Sequence, residues 1–236
     1  MTKKFWIAIA VIVVILVGVF AFSASGNNND NSKLTPTEHI EGEGKDGVTL
    51  VEYGDYECPY CGEYYSTVKQ VVATYNTQIT FQFRNFPLTS IHPNAFAGAR
   101  AAEAAGLMGQ FWQMHDLLYQ ENQIYYDSNE SNPTWIGQSN PEPVFEQYAK
   151  SLGLNVTKFE QLYASDQVNN LVVADENAGN SLGIDATPTF YLDGKQVEVD
   201  NTPAAFEKLI NAAIAQKAGK TASATTTAGT TSQSKN

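Results

Sequence analysis

Val48-Thr49-Leu50-Val51-Glu52-Tyr53-Gly54-Asp55-Tyr56-Glu57-Cys58-Pro59-Tyr60-Cys61 is the stretch on which the reading of this chain turns. Val48 to Tyr53 is a short run rich in β-branched and apolar residues, which predicts a strand. Pro59 to Tyr75 is helix-compatible, with Pro59 at the first helical position, where its missing N–H costs nothing. Cys58 and Cys61 flank that junction and are the only 2 cysteines in 236 residues. Bridging so short a span would remove only roughly 2 kcal/mol of denatured-state entropy, against roughly 3 for a fifteen-residue loop. The pair therefore reads as reactive, not as a stabilising clasp.

Working outward, Ile79 to Arg84 predicts a second strand, and strand, helix, strand in that order points to a parallel βαβ unit. Helical patterns follow over Pro93 to Met108, Gln110 to Gln120, and Pro141 to Leu152, the last stopped by Gly153. Thr157-Lys158-Phe159-Glu160 has the form of a capping box opening a further short helix, and Gln167 to Leu182 makes another, ended by Gly183. Thr189 to Leu192 and Lys195 to Val199, joined by Asp193-Gly194, read as a β-hairpin. A last helix, capped by Thr202, runs from Pro203 to about Gln216. The expected domain is an α/β unit over 48–217, β-α-β then β-β-α, with a helical insertion over about 93–165.

The ends differ in composition. Phe5 to Phe22 is an 18-residue run of apolar residues and Gly, behind Lys3 and Lys4. Its length favours an uncleaved transmembrane anchor over a cleaved signal peptide, whose apolar region is usually about 7 to 15 residues. Either way residues 1–4 stay inside and everything after residue 22 is exported: at the cell membrane as a single-pass protein, or secreted if the segment is cleaved. Residues 23–47, rich in Asn, Asp, Ser, Gly and Glu, read as a flexible linker, and 218–236 as a disordered Thr/Ser/Ala/Gly tail. A formal net charge of −11 argues against nucleic acid as a partner.

The thiolate is the attacking species in disulfide exchange, so a useful cysteine needs its anion stabilised. Cys58 lies just before the predicted helix, where unpaired N–H groups and the helix dipole favour negative charge. Cys61, one turn further in and more buried, is placed to resolve a mixed disulfide on Cys58. Two alternatives stand beside redox chemistry: a passive structural disulfide, and a zinc site completed by His39, His92 or His115. Zinc normally takes four ligands and there is no second cysteine pair.

C-P-x-C at the first helix, with Phe86-Pro87, Ile91-His92-Pro93-Asn94-Ala95 and Gly109-Gln110-Phe111-Trp112-Gln113-Met114-His115-Asp116, resembles the DsbA-like branch of the thioredoxin superfamily over about residues 48 to 216. The resemblance implies a protein thiol-disulfide oxidoreductase with no cofactor beyond a redox-active Cys58–Cys61 disulfide and no metal. It implies that Thr187-Pro188 is a cis-proline loop facing the cysteines, and that Thr187, Pro188, Pro59 and Tyr60 meet the substrate. It also implies that Glu52 is a buried acid beneath the cysteines, exchanging protons with Cys61. Expected partners are reduced or misoxidised exported proteins, a quinone-linked membrane protein for reoxidation, and the membrane itself through the N-terminal helix.

One position departs from the family. DsbA proper has His as the second residue between its cysteines, and here Tyr60 carries no positive charge at neutral pH. The Cys58 pKa is therefore expected below that of a free thiol but above that of His-containing relatives. A disulfide reductase or isomerase fed by a membrane electron donor, or a non-catalytic chaperone or binding module, are the alternatives. His92 reads as shaping the opening of a helix and His115 as packing. Tyr53, Tyr56, Tyr60, Tyr64 and Tyr65 read as a substrate-facing apolar lip or as ordinary packing. Metal analysis of the purified protein should find no zinc, and a stoichiometric amount would overturn the redox reading.

Overall fold

The computed structural model describes residues 34–127 and 134–230, with side chains up to 219. In chain order the described elements are β1 (His39–Glu41), β2 (Val48–Gly54), α1 (Pro59–Tyr75), β3 (Ile79–Asn85), α2 (Ala95–Gly106), α3 (Phe111–Asp127), α4 (Glu142–Ser151), α5 (Val156–Tyr163), α6 (Asp166–Ser181), β4 (Thr189–Leu192), β5 (Lys195–Val197) and α7 (Pro203–Thr230). The strands form one sheet in the order β1-β3-β2-β4-β5. β2 and β3 are parallel across the α1 crossover, and β4 runs antiparallel to β2. The thioredoxin fold expected from the resemblance is present, and α2 to α5 form the inserted helical block. The Phe5–Phe22 run lies outside the described residues, and among those described no helix is long and apolar enough to cross a membrane.

Strand periodicity positions the site. Side chains alternate faces along β2, so Val48, Leu50 and Glu52 share one side while Val51 and Tyr53 share the other. The first side joins the main core, with Ile79, Phe81 and Phe83 of β3, Cys58 and Cys61, and Phe206 and Ile210 of α7. The second side builds a smaller cluster of Tyr53, Phe86, Ile184 and Tyr191. Glu52 is registered against Phe83 on one neighbour and Phe190 on the other. A carboxyl group thus occupies a slot that the sheet treats as apolar.

Several local expectations are corrected. The linker read over 23–47 is not wholly a tether, because His39–Glu41 pairs antiparallel with Phe81 to Phe83. Three residues are too few to show a period, and this strand exists through its partner. Upstream of it, Thr37 donates from both N and Oγ1 to the buried Asp175 carboxylate at 2.7 Å. The short helix α5 is not opened by a capping box at Thr157: Asn155 is the cap, and its side chain accepts from Lys158 N at 2.9 Å. Asn is the better cap, and Thr157 falls inside the first turn.

The hairpin has its Asp-Gly turn, with positive φ at both Asp193 and Gly194, but β5 ends at Val197 and not Val199. Helix α3 continues past Gln120 to Asp127. At the C-terminus α7 runs on to Thr230, so the 218–236 tail begins as helix instead of being disordered throughout. Beyond Gln216 that helix meets no proline, and alanines are interspersed among its weaker helix formers Thr, Ser and Gly. Residues 231–236 lie outside the described set.

Replacing Thr37 by Val should destabilise the domain by about 1 to 3 kcal/mol in urea unfolding, because the buried Asp175 carboxylate loses a donor it cannot recover from water.

Candidate active site

Glycine 54 ends β2 and the chain turns through Asp55, Tyr56 and Glu57 into α1. Cys58 is the N-cap of that helix, in extended conformation, with Pro59 in the first turn. The Cys58 N–H donates to Asp55 O at 3.2 Å, and Gly62 N closes the first turn on Cys58 O at the same distance. Both thiols are free. Cys61 is fully buried, and Cys58 is 3 % exposed.

The two sulfurs are electrostatically unlike. Hydrogen bonding from the Cys61 thiol is the largest influence on Cys58; it outweighs burial and, with smaller help from Thr187 and the Cys61 N–H, lowers the Cys58 pKa to about 6. The helix terminus thus contributes, but the neighbouring thiol contributes more than the N–H groups that the sequence pointed to. Cys61 is pushed well above its ordinary value by burial first, and then by giving its hydrogen bond to Cys58. At neutral pH one sulfur is an anion and the other a thiol, the division of labour that exchange chemistry requires.

Glu52 lies beneath this pair and is 3 % exposed. Burial raises its pKa to about 8, with the Cys58 charge as the second cause. Its carboxyl group is thus protonated at neutral pH. Across the turn, Cys58 Sγ contacts Thr187 O at 3.4 Å, and the Thr187-Pro188 bond is cis. Tyr60 is 64 % exposed. Tyr60, Tyr64, Pro188, Phe190, Val197 and Val199 line an open groove of about 450 Å³ that also takes in Thr187, whose carbonyl meets Cys58 Sγ. Of the tyrosines read as a lip, Tyr53 and Tyr56 are buried, so only Tyr60 and Tyr64 face this groove.

The inserted helices hold the cysteine loop. Asn122 of α3 donates to Tyr56 O at 2.8 Å and Cys58 O at 3.1 Å, and Tyr126 donates its hydroxyl to Glu57 O at 3.1 Å. Gly62 makes the Asn122 contact sterically feasible, since a Cβ there would lie 2.0 Å from Asn122 Oδ1. The Glu57 carboxylate accepts from Asn94 N at 2.5 Å, at the head of α2. Asp55 accepts from Glu57 N and Leu88 N, and from His92 Nδ1 at 2.7 Å. His92, read as shaping the opening of a helix, reaches back to the cysteine loop.

His115 lies as expected among packed rings, against Tyr56, Phe83, Trp112 and Tyr119. Asp55, Glu57, His92 and Asn122 were not read as site residues. The only signal for them was an unusual density of polar side chains, in the cysteine loop and at Ile91-His92-Pro93-Asn94. No group of His, Cys, Asp or Glu among the described residues is arranged to hold a metal ion.

The domain is thus a thioredoxin fold with an inserted helical block and two unlike thiols at the start of its first helix. The chain belongs to the thioredoxin family, whose model matches residues 34–212. Its fold is similar to that of a thioredoxin-like oxidoreductase from Silicibacter pomeroyi, with 22 % identity, a TM-score of 0.60, and 79 % of this chain and 98 % of that one covered. BdbD from Bacillus subtilis, in its oxidised form, matches at 20 % identity and a TM-score of 0.62, over 76 % of this chain and 96 % of that one. The alpha-DsbA1 of Wolbachia pipientis matches at 18 % and 0.62, over 80 % and 98 %.

In sequence, the Na(+)/H(+) antiporter NhaA 1 of Salinispora arenicola is 34 % identical over 159 residues, which are 67 % of this chain and 22 % of that protein. The NhaA 3 of Salinispora tropica is similar, at 33 % over 159 residues and 22 % of its length. The chain thus spans about a fifth of the length of these curated relatives, and their named ion transport is not carried over to it.

The Glu52 pKa makes stability depend on pH in a definite direction. A carboxyl group whose folded pKa is raised from 4.5 to about 8 contributes stability that is full below pH 4.5 and lost as pH rises through 8. Urea unfolding of the oxidised protein, in which burial still acts on Glu52, should show stability falling by roughly 1 kcal/mol per pH unit across that window. Glu52→Gln should flatten the slope.

Proposed function

We propose that this domain is an extracytoplasmic thiol-disulfide oxidoreductase that passes its Cys58–Cys61 disulfide to thiols of exported proteins. The observation that carries the reading is the pairing of a Cys58 thiol lowered to about 6 with a buried Cys61 held protonated beside it. A substrate thiolate attacks the Cys58 sulfur of the disulfide; the S–S bond breaks, and Cys61 leaves with the electron pair. Glu52, protonated and buried next to it, supplies the proton that Cys61 takes up. A second substrate thiolate then attacks the substrate sulfur of the mixed disulfide, releasing Cys58 as the stabilised thiolate. The substrate loses two electrons and the enzyme gains them.

The groove bounded by Tyr60, Pro188 and Val199 supports binding of an extended polypeptide beside the Thr187 carbonyl. The apolar run Phe5 to Phe22 supports a tether that holds the domain on the outer side of the membrane, within reach of a quinone-linked membrane protein for reoxidation. No cofactor beyond the cysteine pair enters the scheme.

One observation favours electron flow in the other direction. A Cys58 pKa of about 6 lies nearer the value of about 7 for thioredoxin than the value of about 3.5 for DsbA, and a less stabilised thiolate makes a less oxidising disulfide. A reductase or isomerase would run the same steps backwards from the dithiol. Equilibration with glutathione buffers decides the direction: a potential near −120 mV means oxidase and one near −270 mV reductase, on the scale of about 30 mV per tenfold. Cys58→Ser with Cys61→Ser should abolish oxidation and reduction of a dithiol peptide, whereas a chaperone or binding module would keep its activity in this double variant.

A further inference from the structure

The Cys58 sulfur sits in acidic surroundings. Glu52 lies beneath it, Asp55 and Glu57 precede it in the same loop, and all three residues are buried. Asp55 opposes the thiolate directly. Tyr60, between the two cysteines, brings no compensating charge. Among the described residues, Arg84 lies over Tyr53, Arg100 lies over Tyr163, and Lys69 pairs with Asp116.

His92 is placed differently. It lies on the loop between β3 and α2, and its Nδ1 is 2.7 Å from Asp55 Oδ2, with the imidazole 13 % exposed. Asp55 in turn is tied to both cysteines through its backbone, its O accepting from Cys58 N at 3.2 Å and its N directed at Cys61 Sγ at 3.5 Å. The Asp55 carboxylate also gathers Glu57 N at 2.8 Å and Leu88 N at 2.9 Å. One residue therefore joins the imidazole to the reactive loop.

We propose that His92, held by Asp55, is a positioning residue that brings a positive charge to the Cys58 thiolate and stands in for the charge Tyr60 lacks. Protonated, it neutralises the carboxylate that opposes the sulfur anion and adds its own field; neutral, it leaves that carboxylate uncompensated. The charged groups that bear on it are Asp55, Glu57 and Cys58, all from the loop before α1. The Asp55 hydrogen bond is the main cause of its raised pKa, and the Cys58 charge adds to it. The coupling is reciprocal: a thiolate that strengthens the His92 proton is itself favoured by that proton to the same degree. In the disulfide form Cys58 bears no charge, so His92 binds its proton more weakly there, and reduction is accompanied by partial proton uptake on the imidazole.

The inference deepens the exchange chemistry proposed above, yet its first two readouts are titrations that need no turnover. His92→Asn keeps an N–H for Asp55 and removes the charge. Iodoacetamide alkylation of Cys58 in this variant should be about three- to tenfold slower than wild type at pH 6 and equal at pH 9. Its glutathione equilibrium should move toward the disulfide by the same factor, a tenfold change being about 30 mV. In the wild-type protein, NMR titration of the His92 ring should give a higher midpoint in the reduced form than in the oxidised form. Superposable alkylation profiles, or equal His92 midpoints in the two forms, would overturn the proposal. The wild-type titration decides should the variant not fold. If the titrations behave as expected while the protein exchanges with no dithiol, the oxidoreductase reading fails and the His92–Cys58 coupling stands.

Discussion

A sulfur anion has to be held at Cys58 in a loop that already contains two buried acids and lies over a third. Much of the site's structure answers that constraint. The strongest support comes from Cys61, which cannot ionise in its buried position and so has only a proton to offer. Burial raises both thiols, but it keeps Cys61 protonated, and the hydrogen bond from that protonated Cys61 outweighs burial at Cys58. Glu52 belongs to the same arrangement, since a carboxyl group flanked by Phe83 and Phe190 stays neutral at pH 7 and adds no charge beneath the anion.

The inserted helices act on the site through the backbone of its loop. Asn122 and Tyr126 of α3 bind the carbonyls of Tyr56, Glu57 and Cys58, while Asn94 at the head of α2 binds the Glu57 carboxylate. These bonds hold a loop whose own residues, lying between a strand and a helix, have no ladder of their own. They also leave the Cys58 sulfur facing the Thr187 carbonyl and the groove beyond it. The thioredoxin sheet supplies the platform and the insertion holds the reactive turn in place, so the two parts make a single site.

Local rules carried much of the fold. Alternation along Val48 to Tyr53, a proline in the first turn of α1, and Asp-Gly between two short strands each depend on a few adjacent residues, and each element formed at that place, β5 two residues shorter than read. Misreadings arose where the deciding partner is remote or the signal weak. β1 is only three residues long and exists because β3 offers an unpaired edge. The opening of α5 went to Asn155, a stronger cap two residues ahead of Thr157. Helix α7 passed Gln216 because nothing in the following residues forbids a helix.

By itself, the sequence determined that two cysteines would stand at the start of the first helix, that an acid would fall within the apolar strand before it, and that no cation would sit between the cysteines. Those facts follow from residue order along the chain. Only the tertiary structure decided what surrounds them. Asp55 and His92 are 37 residues apart, and Cys58 and Thr187 are separated by 129, yet each pair is in contact. Proximity across the sheet, together with the depth of burial that weakens solvent screening, sets which sulfur ionises and which charge balances it. Neither quantity has a period that a sequence can show.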